Sequence, residues 1–230
     1  MRSLRSAALA FAVLPCRLAS QAATPTAFVT TTGKDTFCLE QYTRTGNVIS
    51  GTWVVLHAPG VFVHDYHITL GSDGLPTRYS MKYTTPGSST PPSLDSLVVT
   101  YGRDSASLFF VMRDSSFTQR IAMHEGFPLL GQSFVGVELA LIRLRRMHVD
   151  SSTITLHPPS EPTKPAIAAP VTFVGGDSAF IGAAHIRVAP DGTILGLRFG
   201  PSELRRVPSL DMPALIDGFV KSFAQHPSRQ

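Results

Sequence analysis

Val61 to Tyr83, VFVHDYHITLGSDGLPTRYSMKY, decides how the chain folds. Phe62, His64, Tyr66, Ile68 and Leu70 fall on one side of an extended chain. Val61, Val63, Asp65, His67 and Thr69 fall on the other. After Ser72-Asp73-Gly74, Leu75, Thr77, Tyr79, Met81 and Tyr83 alternate with Pro76, Arg78, Ser80 and Lys82. A period of two marks half-buried strands. The Asp-Gly pair supplies the left-handed residue a tight hairpin needs. The stretch is therefore a β-hairpin with one apolar face.

The same pattern extends outward. Asp35–Tyr42 and Val48–His57 precede the hairpin as strands, the second carrying the only tryptophan, Trp53. Leu97–Tyr101, Ala106–Arg113 and Phe117–His124 follow it. Later strands are expected at Asp150–His157, Val171–Val174, Ser178–Val188 and Thr193–Phe199, with Arg205–Val207 as a last edge strand. From Phe127 to Met147 the alternation stops and apolar residues surround the whole circumference, which predicts a buried helix. Met212, Leu215, Ile216, Phe219, Val220 and Phe223 recur at helical spacing behind Asp211, an N-cap residue type, so the chain closes with an amphipathic helix. His67-Ile68 and His185-Ile186 precede Asp73-Gly74 and Asp191-Gly192 at the same interval. This echo reads either as a duplicated β unit or as two independent solutions to one turn.

The fold class is thus mainly β: a curved antiparallel sheet, half-barrel or open barrel, with one buried helix and a C-terminal amphipathic helix. Residues 1–22 read as a signal peptide, with a basic start (Arg2, Arg5), an apolar run from Ala7 to Leu14 and small residues up to Ala22. Residues 23–34 read as a flexible lead-in. Residues 35–226 read as a single β-rich domain with Pro-rich loops at 84–96 and 158–170. Localisation is expected to be periplasmic or extracellular. Pro15 before Cys16 makes a poor lipidation site. Without Cys16, Cys38 has no intramolecular disulfide partner.

The formal charge is +4, and removal of Arg2, Arg5 and Arg17 lowers it by three, to about +1. A near-neutral surface argues against a general nucleic-acid partner. No stretch of the mature chain predicts a transmembrane helix.

Strongly curved sheets wrapped around helices resemble the β half-barrels of periplasmic lipoprotein carriers. The resemblance is architectural, covers most of residues 35–225 and rests on no diagnostic motif. It implies an apolar cavity on the concave face and an apolar or lipid-like ligand.

No nucleophile elbow, phosphate loop or dinucleotide fingerprint is present. His64 and His67 point to opposite faces of a strand, so the HDYH run is not a metal motif, and neither a metal nor a cofactor is expected. Asp65 and His67 share a face and could pair with His57 or His185 on a neighbouring strand. Ser133 and His124 are the one Ser/His pair to consider. Glu138, inside an apolar helix, must be paired or face a cavity, with Arg78, Arg120 or Arg198 as possible partners. The residues that could orient a ligand on the concave surface are His64, Tyr66, Tyr79, Gln119 and Glu138. These features predict an exported non-enzymatic binding protein for an apolar small molecule, a lipid or an envelope protein. The alternatives are a hydrolase built on His64, Asp65, His67 or Glu138, and a structural envelope module.

Overall fold

A computed structural model describes residues 23–57, 60–89, 91–129, 131, 133–161 and 164–225, with the side chain of His57 excluded. The segment read as a signal peptide, residues 1–22, lies outside the described residues.

Eight strands come first: β1 (Thr26–Thr32), β2 (Asp35–Thr45), β3 (Val48–His57), β4 (Gly60–Leu70), β5 (Pro76–Thr84), β6 (Leu94–Tyr101), β7 (Ser105–Met112) and β8 (Ser116–Ala122). A short β9 (Gly126–Pro128) leads to helix α1 (Val135–Arg146). Six more strands follow: β10 (Ser151–His157), β11 (Ile167–Val174), β12 (Ser178–Ile181), β13 (Ala184–Val188), β14 (Ile194–Phe199) and β15 (Ser202–Val207). Helix α2 (Met212–Gln225) ends the described chain. All the strands form one sheet in the order β8 to β1, then β15 down to β9. Two meanders therefore meet at a seam where β1 pairs antiparallel with β15. The sheet stays open between β8 and β9, so the architecture is the expected curved, mainly β sheet with two helices.

Both faces of β4 are used. His64, Tyr66, Ile68 and Leu70 are buried on the inner face, in the large core that surrounds α1. Val61 and Val63 turn outward, where with Leu39, Val54 and Leu56 they are covered by α2. All six residues expected on the apolar stripe of α2 pack there, and Asp211 Oδ1 accepts the Ala214 N–H at 3.2 Å. Together these capture an orphan amide at the helix start and bury one face of the helix.

The two Asp-Gly turns are built alike. Asp73 Oδ1 accepts the Leu75 N–H at 3.0 Å, and Asp191 Oδ1 accepts the Thr193 N–H at 3.0 Å. Gly74 (φ +82°) and Gly192 (φ +93°) are both left-handed. Ile68 faces Tyr79 as Ile186 faces Leu197, and each hairpin carries a bulge just before its turn. A Cβ on Gly192 would lie 2.6 Å from the Leu141 carbonyl oxygen of α1, whereas one on Gly74 would reach only the Arg143 side chain at 3.9 Å.

Several sequence expectations change. Residues 23–34 are not a loose lead-in. The β-branched run Thr26–Thr32 is paired on both sides, to β2 and to β15. The helix expected over Phe127–Met147 is shorter. Phe127 sits in β9, parallel to β10, and Gly131 (φ +48°) lies on the connection to α1. A continuous apolar run does not distinguish buried strand from buried helix. The strand expected over Ser178–Val188 is divided by a turn at Gly182 (φ +57°). β15 is interior rather than an edge, and strands take residues from both Pro-rich stretches: Thr84 ends β5, Leu94 starts β6 and Ile167 starts β11.

Candidate functional site

Alternation along β2 sends Cys38, Glu40 and Tyr42 inward. Trp53 Nε1 donates to Cys38 Sγ at 2.9 Å, and burial pushes the thiol well above its ordinary range. Glu40 is 1% exposed. It accepts hydrogen bonds from Tyr66 Oη at 2.8 Å, Ser133 Oγ at 2.5 Å and the Phe134 backbone N–H at 2.8 Å. These contacts tie the start of α1 to the sheet. Burial raises the carboxyl to about 7, against the pull of the three donors, and the nearby Glu138 adds to the rise.

Glu138 is 2% exposed and is satisfied differently. It accepts the Tyr42 hydroxyl, the Ile194 N–H at 2.8 Å and Arg206 Nη1 at 2.7 Å. Arg206 also donates to the Ile194 carbonyl at 2.9 Å and to Thr26 Oγ1 at 3.0 Å. Its guanidinium lies 5.2 Å from the Phe28 ring centroid. Burial first, then the Glu138 charge, pushes the Tyr42 hydroxyl upward. The two carboxylates thus join β2, β4, α1, β14 and β15 across the seam. Gly51 makes this possible. Paired with Tyr42 on one side and Tyr66 on the other, it would place a Cβ 2.6 Å from the Tyr66 ring. Its missing side chain lets Tyr66 lean over β3 to reach Glu40.

The expected partners of Glu138 are therefore corrected. Arg198 faces Glu203 at 3.6 Å and Arg120 bonds Ser105 Oγ at 3.0 Å, while Arg206 takes the carboxylate. Ser133 serves Glu40 rather than His124, which lies exposed beside Asp104 at 3.3 Å.

The proposed ligand-orienting residues do not converge. His64 lies between Trp53 (ring centroids 4.3 Å apart) and Tyr83 (4.7 Å), and burial lowers its pKa to about 4. Tyr66 is spent on Glu40 and Glu138 on Arg206. Tyr79 is fully buried and donates to Met81 Sδ at 2.7 Å. Gln119 stands on the edge strand β8, opposite Leu108 and four strands from β4. Asp65 and His67 face outward, held by Thr52 Oγ1 at 2.7 Å and Ser50 Oγ at 2.8 Å. His185 is on β13, which is not adjacent to β4, and rests 3.3 Å from Ser178 Oγ. Among the described residues no group of three or more His, Cys, Asp or Glu is placed to hold a metal ion, and no helix is long and apolar enough to cross a membrane.

The signals for the residues the sequence reading missed are local. Glu40 has the parity of buried Cys38 and Tyr42, and Gly51 interrupts a strand, where glycine marks close approach.

α1 and several aromatic side chains pack into the core on the concave face. On the outer face, α2 and the Pro/Ser loop after β5 enclose a groove of about 630 Å³. Val61, Phe62, Pro86, Pro92, Val220 and Phe223 line it, Ser88 and Ser89 add neutral polar groups, and no described lining residue is charged. The loop rests on the helix at Gly87 (φ +77°), whose Cβ would meet Val220 Cγ1 at 2.6 Å.

No family model and no curated protein matches the chain. Among solved structures, it is similar to a DUF1089 family protein from Pseudomonas aeruginosa, with a TM-score of 0.51, 11% identity, and 70% of this chain and 89% of the other covered. It is also similar to a β-barrel-like protein of the domain of unknown function DUF1849 from Brucella abortus, with a TM-score of 0.47, 9% identity, and 82% and 98% covered. At 11% identity the likeness to the first is one of fold. Neither structure is described as a lipoprotein carrier.

Proposed function

We propose that this chain is an exported, non-catalytic binding protein for an apolar, lipid-like molecule, seated in the groove between α2 and the loop after β5. The observation that carries this reading is the groove itself. Its volume of about 630 Å³ and uncharged, largely apolar lining match the size and character of small-molecule sites. The serines at one side would meet a neutral polar end, and the aliphatic and aromatic walls would take a chain. Export rests on the sequence of residues 1–22.

Titration with a fluorescent fatty-acid analogue tests the site. Ala224 is exposed on α2 at the groove, so Ala224→Trp plugs the groove while leaving the core untouched. The expected result is saturable binding by the wild type and at least about tenfold weaker binding by the variant, with the melting temperature unchanged. Equal binding by both proteins, or none by the wild type, overturns the assignment.

A further inference from the structure

The outer face of the second meander has a different chemistry. Two cross-strand rows run over it. One is Val174, Ser178, Arg187, Gly196 and Arg205; the other is Thr172, Phe180, His185, Arg198 and Glu203. Arg187, Arg198 and Arg205 are all exposed, and among the described residues lining the space beside them Glu203 is the one carboxylate, 3.6 Å from Arg198. The guanidiniums of Arg187 and Arg205 have no ion pair or hydrogen bond with any described residue. Gly196 lies between them on the middle strand and provides no side chain to fill the space. Around it is a hollow of about 530 Å³.

Strands two places apart are separated by roughly 10 Å, so two arginine side chains can lean over the glycine and meet on one anion. Leu195 is the extra residue of a bulge here, since Val188 faces Ile194 but Arg187 faces Gly196. Phe180 and Leu195, each 39% exposed, supply apolar surface beside the cations.

We propose that this hollow, floored by Gly196 and flanked by Arg187 and Arg205, binds a phosphate group. Guanidinium forks match phosphate oxygens in geometry and remain charged at every physiological pH. Three clustered guanidiniums with one carboxylate leave net positive charge that a phosphate would neutralise. The phosphate can belong to a phospholipid headgroup or be free in solution. The site is separate from the groove at α2 and does not depend on it.

The test uses the full chain with two probes, inorganic phosphate followed by calorimetry and vesicle flotation with phosphatidylcholine, with or without phosphatidylglycerol. The proteins are wild type, Arg187→Ala, Arg205→Ala and Arg120→Ala, the last altering an exposed arginine on β8. Arg187→Ala and Arg205→Ala should each weaken binding about tenfold, with Arg120→Ala behaving as wild type. Binding of inorganic phosphate supports a free ligand. Binding only to phosphatidylglycerol vesicles, with the same dependence on Arg187 and Arg205, supports a headgroup. Three results overturn the proposal: wild type that binds neither probe, Arg187→Ala and Arg205→Ala that bind as well as wild type, or an equal loss in Arg120→Ala.

Discussion

Glu40 and Glu138 are both buried glutamates within the core around α1, yet they are held in opposite ways. Glu138 meets a guanidinium, a tyrosine hydroxyl and a backbone amide. Glu40 meets three neutral donors and no cation among the described residues. A carboxylate paired with Arg206 depends on that charge. A carboxylate held by hydroxyls and an amide can take up a proton and stay where it is. Both holds fall at the start of α1, one through the Phe134 amide on Glu40 and one through the charge of Glu138 in the first turn.

The largest expected effect comes from breaking the charged side. Arg206→Met leaves Glu138 as an uncompensated buried charge and should destabilise the protein by about 3–5 kcal/mol in denaturant unfolding. Adding Glu138→Gln to that variant should recover much of the loss. If the single variant unfolds at the wild-type midpoint, the contrast between the two carboxylates disappears.

A smaller effect is expected on the neutral side. Tyr66→Phe removes one of three donors to Glu40 and should lower stability by about 1–3 kcal/mol. It should also move the Glu40 titration upward, because a group that favours the charged form is gone. A carboxyl-sensitive infrared titration would read that shift.

A third effect is a slope rather than a step. Burial raises Glu40 from an ordinary carboxyl value to about 7 in the folded protein. The folded state then holds a proton that the unfolded state has released. Its contribution is complete below an unfolded value of about 4.5 and is lost as pH rises through 7. His64 and His157 act in the other direction. Both fall to about 4 by burial, so their contribution is present above about 6.5 and lost as pH falls through 4. The stability difference between wild type and Glu40→Gln should therefore shrink from pH 4.5 to pH 7 and level off beyond it. Melting curves that keep a constant difference across that range would show that Glu40 is charged throughout.

The architecture was legible where short-range rules decide. Period-two alternation located β4 and β5, helical spacing selected the six residues that α2 packs on the sheet, and Asp-Gly marked both turns with matching geometry. The site was less legible because its partners come from distant parts of the sequence. A carboxylate in an apolar helix announces that Glu138 needs a partner. Nothing local says that the partner is Arg206, because the seam register between β1 and β15 decides it. The segment before Gly33 read as a lead-in for the same reason, since its second neighbour is near the far end of the chain. The space on the concave face was no more legible. The sequence indicated which side chains face inward, but the space left for a guest is set by how closely α1 approaches. Gly136 shows how close that is: a Cβ there would lie 1.9 Å from the Pro128 carbonyl oxygen.

The seam also makes folding wait on the far end of the chain. Each neighbouring hairpin can close as soon as its own two strands exist. Thr26 and Arg206, by contrast, are separated by 180 positions, and contacts between residues so far apart slow folding. A folding chain with α1 formed and β15 still unpaired holds Glu138 without its guanidinium. Until β15 arrives, β1 is an unpaired edge and the helix holds a lone carboxylate. Such an edge is open to strand addition by other chains, and β15 closes it by completing the sheet and neutralising the charge together.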